Sequence, residues 1–143
     1  MAAEKVRSVI EAYARAWQSG DKNLLLSLFA KDCAWHDPVG TLAFKGHAGV
    51  ARFWDFAHQD PTRRMTPRIH RIIACANEGV LQFTMEVRLP HLNQGLDLEF
   101  IDRFVLDEAG KIRLAQAYWD QTCVSAPEGM ELFAPNIDEA YQQ

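Results

Sequence analysis

The chain has 143 residues, of which 48% are hydrophobic and 24% charged, and its formal net charge is −4 at pH 7. This length and composition suit one globular domain with a substantial core, and the acidic balance argues against a nucleic-acid-binding surface. There is no run of 18 apolar residues, and charged side chains interrupt the N-terminal segment from Glu4 onward. We therefore expect no contact with a membrane and a cytoplasmic location.

Three helices are predicted in the first part of the chain. Residues 3–18 place their apolar side chains on one stripe, and Gly20 ends that helix. A second, short helix is predicted over about 21–30. The third spans about 46–58 and is closed by Pro61.

Between the second and third helices, the segment CAWHDPVG places an acid where an apolar strand ends in a turn. Asp37, Pro38 and Gly40 occupy the first, second and fourth positions that a type I β-turn prefers, so turn chemistry alone accounts for Asp37. The neighbouring His36 points to the opposite face of an extended strand, which makes the two a poor pair of metal ligands. The five histidines show no HxH or HExxH spacing and the three cysteines no CxxC. We therefore expect no metal and no cofactor.

The period of the apolar pattern changes to two after the third helix, which predicts β-strands. The strands are predicted at 66–76, 80–89, 96–106 and 111–124. Helices first and antiparallel strands later favour an α+β fold, with the helices packed on one face of a curved sheet. We predict a single domain over 1–124 and a C-terminal tail over 125–143.

The densest basic stretch is TRRMTPRIHR, residues 62–71. It contains Arg63, Arg64, Arg68 and Arg71 but none of the interleaved aromatic residues typical of nucleic-acid sites. We interpret it as a solvated loop and strand face rather than an anion site.

Asp102 breaks the pattern of its strand. In LDLEFIDRFVL the even positions Leu98, Phe100 and Phe104 share one apolar face, and Asp102 lies among them. An ionised, unpaired carboxylate there would be very unfavourable. One explanation is a bulge that turns the side chain outward, or a buried ion pair with an arginine such as Arg113. The other is a carboxylic acid in a pocket, kept neutral by apolar walls so that it donates a hydrogen bond.

Tyr13 raises a similar question on the first helix. It lies on the apolar stripe, where a buried phenol normally finds a hydrogen-bond partner. A core tyrosine is the simpler interpretation. Tyr13, Asp37 and Asp102 together nevertheless form a set of three groups with acid–base or hydrogen-bonding chemistry.

This set, in this order, resembles the bacterial ketosteroid isomerases of the nuclear-transport-factor-2-like fold. Tyr13 stands eight residues before Asp21 of a Gly-Asp helix break, and Asp37 matches the acid of the family's Asp-Pro-x-Gly turn. Asp102 stands five residues before Asp107 of the hairpin DEAGKI. The segment AQAYWDQ is similar to the family's last strand, whose tryptophan corresponds to Trp119. The resemblance covers about residues 5–122.

The resemblance implies a cone-shaped curved antiparallel sheet with three N-terminal helices on its concave face. It also implies that Asp37 shuttles a proton while Tyr13 and protonated Asp102 form an oxyanion hole for a dienolate, without a cofactor. The substrate would be a hydrophobic, steroid-like ketone. Its expected contacts are Phe53, Trp54, Phe83, Met85, Phe100, Phe104, Ala117 and Trp119. In some members further tyrosines support the helix tyrosine; here Phe29 and Trp54 stand at the corresponding places.

Two other functions fit the same sequence. Polyketide cyclases and dehydratases of related architecture use an acid or a His/Asp pair in the same cone, and His36 beside Asp37 invites that comparison. Relatives of the fold also serve as non-catalytic association or small-molecule-binding domains. We further expect a homodimer through the outer face of the sheet, which carries Thr84, Glu86, Ile101, Leu114, Gln116 and Tyr118.

Overall fold

A computed structural model describes residues 2–133 of the chain, and within them three helices and eight strands. The helices are α1 (Ala2–Ser19), α2 (Lys22–Leu28) and α3 (Gly46–Ala57). The strands are β1 (Phe29–His36), β2 (Phe44–Lys45), β3 (Arg64–Cys75), β4 (Glu78–Leu89), β5 (Gln94–Leu106), β6 (Ile112–Tyr118), β7 (Val124–Ser125) and β8 (Glu131–Leu132). Two short 3-10 helices lie at Pro90–Leu92 and Gln121–Cys123. The predicted α+β class is confirmed, and the boundaries of the four long strands shift by a few residues.

The strands form one curved, open sheet in the order β2-β1-β6-β5-β4-β3, and the short strands β7 and β8 both pair with β5. The predicted antiparallel pairing holds for the long strands β3 to β6, whereas β1 runs parallel to β6 and β8 runs parallel to β5. Parallel neighbours need a long crossover, and the chain between β1 and β6 contains α3 and the three longest strands. The sheet is therefore mixed.

Two local predictions near β1 are also corrected. The second helix ends at Leu28, because Phe29 and Ala30 are buried in the core as the first residues of β1. The predicted turn at 37–40 lies one residue later. The amide of Thr41 donates to the carbonyl of Pro38 at 3.2 Å, and Gly40 has φ +99°, as a type II turn requires of its third residue.

Helix α1 packs closely on the sheet at Gly79 on β4. A Cβ at this position would lie 2.6 Å from the end atoms of both Val6 and Ile10, which are buried side chains of α1. A larger residue at this position would require the Val6 and Ile10 side chains to shift. This contact fixes the height of α1, and with it Tyr13, above the sheet.

The outer face of the sheet is more polar than its inner face. Thr84, one of the residues expected in a dimer interface on this face, is only 5% exposed, and a ring nitrogen of His70 lies 2.8 Å from its hydroxyl. Ile101 and Tyr118 are register partners on β5 and β6 and are each 48% exposed. Among the six residues predicted for this face, these two are the exposed large hydrophobic side chains.

Part of the predicted tail packs against the domain. Strands β7 and β8 carry the chain back along β5, and the amide of Phe133 donates to the carbonyl of Gly95 at 2.8 Å. The remainder, 134–143, lies outside the described residues. None of the helices in the described range combines the length and hydrophobicity needed to cross a membrane.

Candidate active site

The helices and the inner face of the sheet enclose a cavity of about 340 Å³, a volume typical of small-molecule sites. Its walls are mostly aliphatic and aromatic side chains. Five of the eight residues predicted to contact a ligand line it: Phe53, Phe83, Met85, Phe100 and Trp119. Phe83 and Phe100 are register partners whose rings stack at 4.9 Å, which gives the cavity a flat aromatic wall.

The other three predicted contact residues lie behind the cavity wall. The ring of Trp54 stacks on His58 at 4.0 Å and packs against Trp17 at 4.7 Å, so it belongs to the interface between helices. Phe104 is fully buried and supports the ring of Tyr13 at 4.9 Å. Ala117 is fully buried as the register partner of Asp102. None of the three lines the cavity.

The three chemical groups singled out in the sequence line the same cavity. Tyr13 comes from α1, Asp37 follows the end of β1, and Asp102 lies in the middle of β5. All three are buried, with exposed fractions of 3%, 6% and 3%. The fold thus brings together side chains that are far apart in sequence. His36 does not line the cavity.

Asp102 is buried without a bulge and without a cation. It pairs in regular register with Leu81 on one side and Ala117 on the other, so the strand is undistorted at this point. Its Oδ1 atom is buried and has no hydrogen-bond partner among the described residues, and Arg113 is exposed. Burial, and then the nearby Asp37 carboxylate, raise the pKa of Asp102 well above its usual range. Asp102 is therefore a buried carboxyl for which the protonated form is favoured, and one of its oxygens has no partner among the described residues.

Asp37 lies in a different environment within the same cavity. Burial raises its pKa to about 7, while a hydrogen bond from the indole N–H of Trp119 to Oδ1, at 2.7 Å, favours the ionised form. The two buried carboxyls therefore differ in one hydrogen bond, which favours the charge of Asp37 and has no counterpart at Oδ1 of Asp102 among the described residues.

Tyr13 lies among aromatic rings rather than among phenols. Trp17, Trp35 and Phe104 approach it edge-on, with centroids at 6.3, 6.2 and 4.9 Å. Burial, and then the two aspartates, raise the pKa of the Tyr13 hydroxyl well above 10. The indole N–H of Trp17 faces this hydroxyl closely enough to oppose that rise, although it lies outside hydrogen-bonding geometry. Tyr13 is therefore a protonated phenol, able to donate a hydrogen bond.

The mouth of the cavity is formed by residues that sequence reasoning assigned elsewhere. Arg63 was interpreted as part of a solvated basic stretch, but it is half-buried and lines the cavity, whereas Arg64 is exposed. Leu132 and Phe133, from the predicted tail, line it as well. Burial lowers the pKa of Arg63, although the guanidinium stays charged at neutral pH.

Further lining residues lie on strand positions whose alternation already marked them as inward-facing. These are Val87 on β4 and Leu96 and Leu98 on β5. The C-terminal residues carried no comparable pattern, because β7 and β8 are two residues long each. In the described range, no three His, Cys, Asp or Glu side chains converge as metal ligands would.

Comparison with known proteins identifies the family. The SnoaL-like domain matches residues 10–115, so the chain belongs to the SnoaL-like domain family, within the nuclear-transport-factor-2-like fold. Three solved structures share this fold at low sequence identity. RV0760c from Mycobacterium tuberculosis is 17% identical with a TM-score of 0.75, over 86% of this chain and 96% of that one.

The other two structures are described as epoxide-converting enzymes. An M. tuberculosis LEH-like epoxide hydrolase is 22% identical with a TM-score of 0.69, over 84% of this chain and 85% of that one. SalBIII, an epoxide hydrolase/cyclase-like enzyme in pyran ring formation in the polyether salinomycin, is 20% identical with a TM-score of 0.76. That match covers 89% of this chain and all of SalBIII. At these identities the similarity establishes the shared fold.

Proposed function

We propose that this protein is a cofactor-independent isomerase that moves a carbon–carbon double bond in a β,γ-unsaturated, steroid-like ketone. One observation supports this more than any other. Asp102, a buried carboxyl with an unpartnered oxygen, shares an apolar cavity with a second buried carboxyl and a buried phenol. A neutral acid and a phenol that both donate hydrogen bonds suit an oxygen on which negative charge develops.

The reaction then has two proton transfers. The Asp37 carboxylate removes a proton from the carbon between the carbonyl and the double bond, and the electrons of that C–H bond delocalise into a dienolate. Tyr13 and Asp102 donate hydrogen bonds to the dienolate oxygen. Asp37 returns the same proton to the γ-carbon, which leaves a conjugated enone and the enzyme unchanged. No atom enters or leaves the substrate.

The environments of the two carboxyls support this division of roles. A shuttle must both accept and release a proton, and a base that ionises near the working pH does so with little driving force in either direction. Asp37 meets this condition through burial opposed by the Trp119 hydrogen bond. Asp102 keeps its proton because it is equally buried but has no such donor and faces the charge of Asp37. Ketosteroid isomerase is the standard example of a carboxylic acid used in this way.

A second candidate is opening of an epoxide, with or without ring closure. The same neutral acid would protonate the epoxide oxygen, while Asp37 would deprotonate the attacking water or hydroxyl group. Two buried carboxyls in one cavity favour it, because one could donate a proton and the other accept one. Two structures of this fold are also an epoxide hydrolase and an epoxide hydrolase/cyclase-like enzyme. The apolar walls favour the isomerase, since a hydrolase must hold a water molecule.

Spectroscopy tests the proposal directly. The purified protein is mixed with a β,γ-unsaturated 3-ketosteroid, and the ultraviolet absorbance of the conjugated enone is followed. Turnover should require Asp37 and should survive Asp32→Asn, which changes an exposed acid on β1. Hydrolysis or cyclisation of an apolar epoxide, without any double-bond shift, would favour the second candidate instead.

A further inference from the structure

Arg63 is an unusual residue for the wall of this cavity. Among the described residues it is the one cationic side chain in the lining, which is otherwise mostly aliphatic and aromatic. Its residue neighbour Arg64 points into solvent, so the sequence alone does not distinguish the two. A cation beside an apolar cavity is unfavourable unless something compensates its charge.

The guanidinium is held in place but only partly satisfied. Its Nη1 donates to the carbonyl of Ala57 at the end of α3. Its Cζ atom lies over the ring of Phe133, 4.7 Å from the ring centre. Its Nε atom is buried and has no hydrogen-bond partner within the described range. The charge of Asp60 acts on Arg63 without a direct ion pair among the described residues, because the Asp60 carboxylate accepts hydrogen bonds from Thr62 and lies 3.5 Å from His91. The cation is thus oriented while part of its hydrogen-bonding capacity is unused.

Arg63 lies at the end of the cavity remote from the acids. It precedes β3, whose Met65 pairs with Val87, and Val87 pairs with Leu96. Asp102 follows Leu96 on β5 by six residues, or about 20 Å of strand. A ligand that places its carbonyl oxygen against Asp102 therefore extends its other end toward the guanidinium.

We propose that the cavity takes ketones that carry a carboxylate at the end remote from the reacting carbonyl, and that Arg63 binds this carboxylate. A guanidinium presents a planar fork of N–H donors that matches the two oxygens of a carboxylate. The surrounding apolar walls strengthen the attraction and favour an anion over a neutral group. The orientation of the ketone rests on the proposed function, whereas the anion preference at Arg63 does not.

A purely structural role makes a different prediction. In that case Arg63 would only cap α3 through Ala57 and hold Phe133 at the mouth of the cavity. Its replacement would then lower the melting temperature and weaken every ligand alike. A structural role of this kind does not predict a loss of affinity for the charged ligand alone when its neutral counterpart still binds.

The test uses calorimetry with matched probes. The first pair is a 4-hydroxyphenyl alkanoic acid and its primary amide, in a series of chain lengths; the second is an unsubstituted long-chain alkanoic acid and its amide. Three variants are compared with the wild type. Arg63→Gln keeps a donor for the carbonyl of Ala57, Arg63→Lys keeps the charge, and Arg64→Met removes one exposed charge outside the cavity.

The wild type should bind each acid at least about 10-fold more tightly than its amide at the best chain length. A 10-fold ratio is a modest expectation for the affinity gained from a charge-assisted hydrogen bond. Arg63→Gln should abolish this ratio with the amide's affinity nearly unchanged, Arg63→Lys should retain part of it, and Arg64→Met should leave it intact. Equal binding of acid and amide, or a ratio that survives Arg63→Gln, would overturn the proposal.

The two probe pairs separate this proposal from the proposed function. If the phenol contributes nothing to affinity, or contributes equally in Asp102→Leu, the proposed function fails. The alkanoic acid and its amide would still report on Arg63 in that case. Thermal unfolding would reveal whether Arg63→Gln fails to fold. In that case the comparison of Arg63→Lys with Arg64→Met tests the proposal, because only Arg63→Lys removes a planar fork of donors from the cavity and should reduce the ratio of acid to amide affinity.

Discussion

Two aspartates in one cavity differ in the hydrogen bonds that reach them. Both are buried, and burial raises the pKa of each. The Trp119 indole donates to Asp37 and stabilises its charge, whereas Oδ1 of Asp102 receives no donor. One N–H group thus helps to distinguish a base from an acid in otherwise similar surroundings.

Asp37→Asn should remove most of the turnover on a β,γ-unsaturated ketosteroid. Loss of a general base typically lowers the rate by about 10²–10⁴-fold. Ligand binding should be nearly unchanged, because the amide has the same shape and Trp119 can still donate to its oxygen. Near wild-type kcat in this variant would return Asp37 to the role of a turn residue.

Asp102→Asn should be milder than Asp102→Leu, because an amide still donates a hydrogen bond to the developing oxyanion. Loss of one such donor typically lowers kcat by about 10²–10³-fold. The affinity of a phenolic steroid should hold through neutral pH and weaken once Asp102 ionises, well above the ordinary value of about 3.9. Titrations of the wild type and Asp102→Asn check this; coincident curves at every pH would contradict it.

The residue scale also shows how far sequence reasoning reaches. Asp102 was detectable because its charge interrupts an otherwise apolar strand face. The alternation of apolar and polar residues along a strand indicates the face on which each side chain lies. Arg63 was not, because it lies in a loop where no period applies and beside the exposed Arg64. Its position depends on Ala57 and Phe133, which are brought together by α3 and the C-terminal segment.

At the scale of elements, close packing of α1 on β4 determines where Tyr13 lies. Gly79→Ala should lower the free energy of unfolding by about 1–3 kcal/mol, since its Cβ would overlap the end atoms of Val6 and Ile10. Chemical denaturation measures the loss. Combining it with Ile10→Val, which removes one of the two overlapping atoms, should recover part of the stability. Additive losses in the double variant would show that α1 does not press on this glycine.

The helices and long strands were predictable because each carries several turns or alternations of one period. The short strands β7 and β8 were not, because two residues cannot show a period and their pairing depends on β5. The parallel placement of β1 beside β6 also escaped prediction. Alternation indicates the face of a strand but not its neighbour or direction.

At the scale of the whole molecule, the two buried carboxyls make stability depend on pH. An unfolded aspartate ionises near pH 3.9, whereas burial in the folded protein raises the pKa of Asp37 to about 7 and that of Asp102 well above its usual range. The folded state therefore binds more protons above pH 4, and its stability falls as the pH rises, by about 1.4 kcal/mol per pH unit for each retained proton.

The free energy of unfolding should thus be higher at pH 5 than at pH 8. The variant with both Asp37→Asn and Asp102→Asn should lose this dependence relative to the wild type, and should be the more stable protein at pH 8. Asp32→Asn, an exposed acid, provides the matched control. Parallel wild-type and double-variant profiles would mean that neither carboxyl is protonated in the folded state at neutral pH.

The outer face of the sheet bears on the state of assembly. We propose a homodimer centred on Ile101 and Tyr118, which pair across β5 and β6 and are each 48% exposed. Leu114 extends this surface, and polar groups surround it, including Arg103, which donates to Gln116 at 2.8 Å. An apolar centre with a polar rim is the composition that a two-fold interface uses.

Sedimentation velocity at micromolar concentration should therefore give about twice the chain mass of 16.2 kDa. Ile101→Asp should shift the protein to the monomer, because it would bury two like charges near the two-fold axis. Leu42→Asp should not, although Leu42 is 58% exposed, because it lies in the loop between β1 and β2, beside Ala48 and Arg52 of α3. A wild-type protein that sediments only as a monomer, or a dimer unaffected by Ile101→Asp, would contradict this interface.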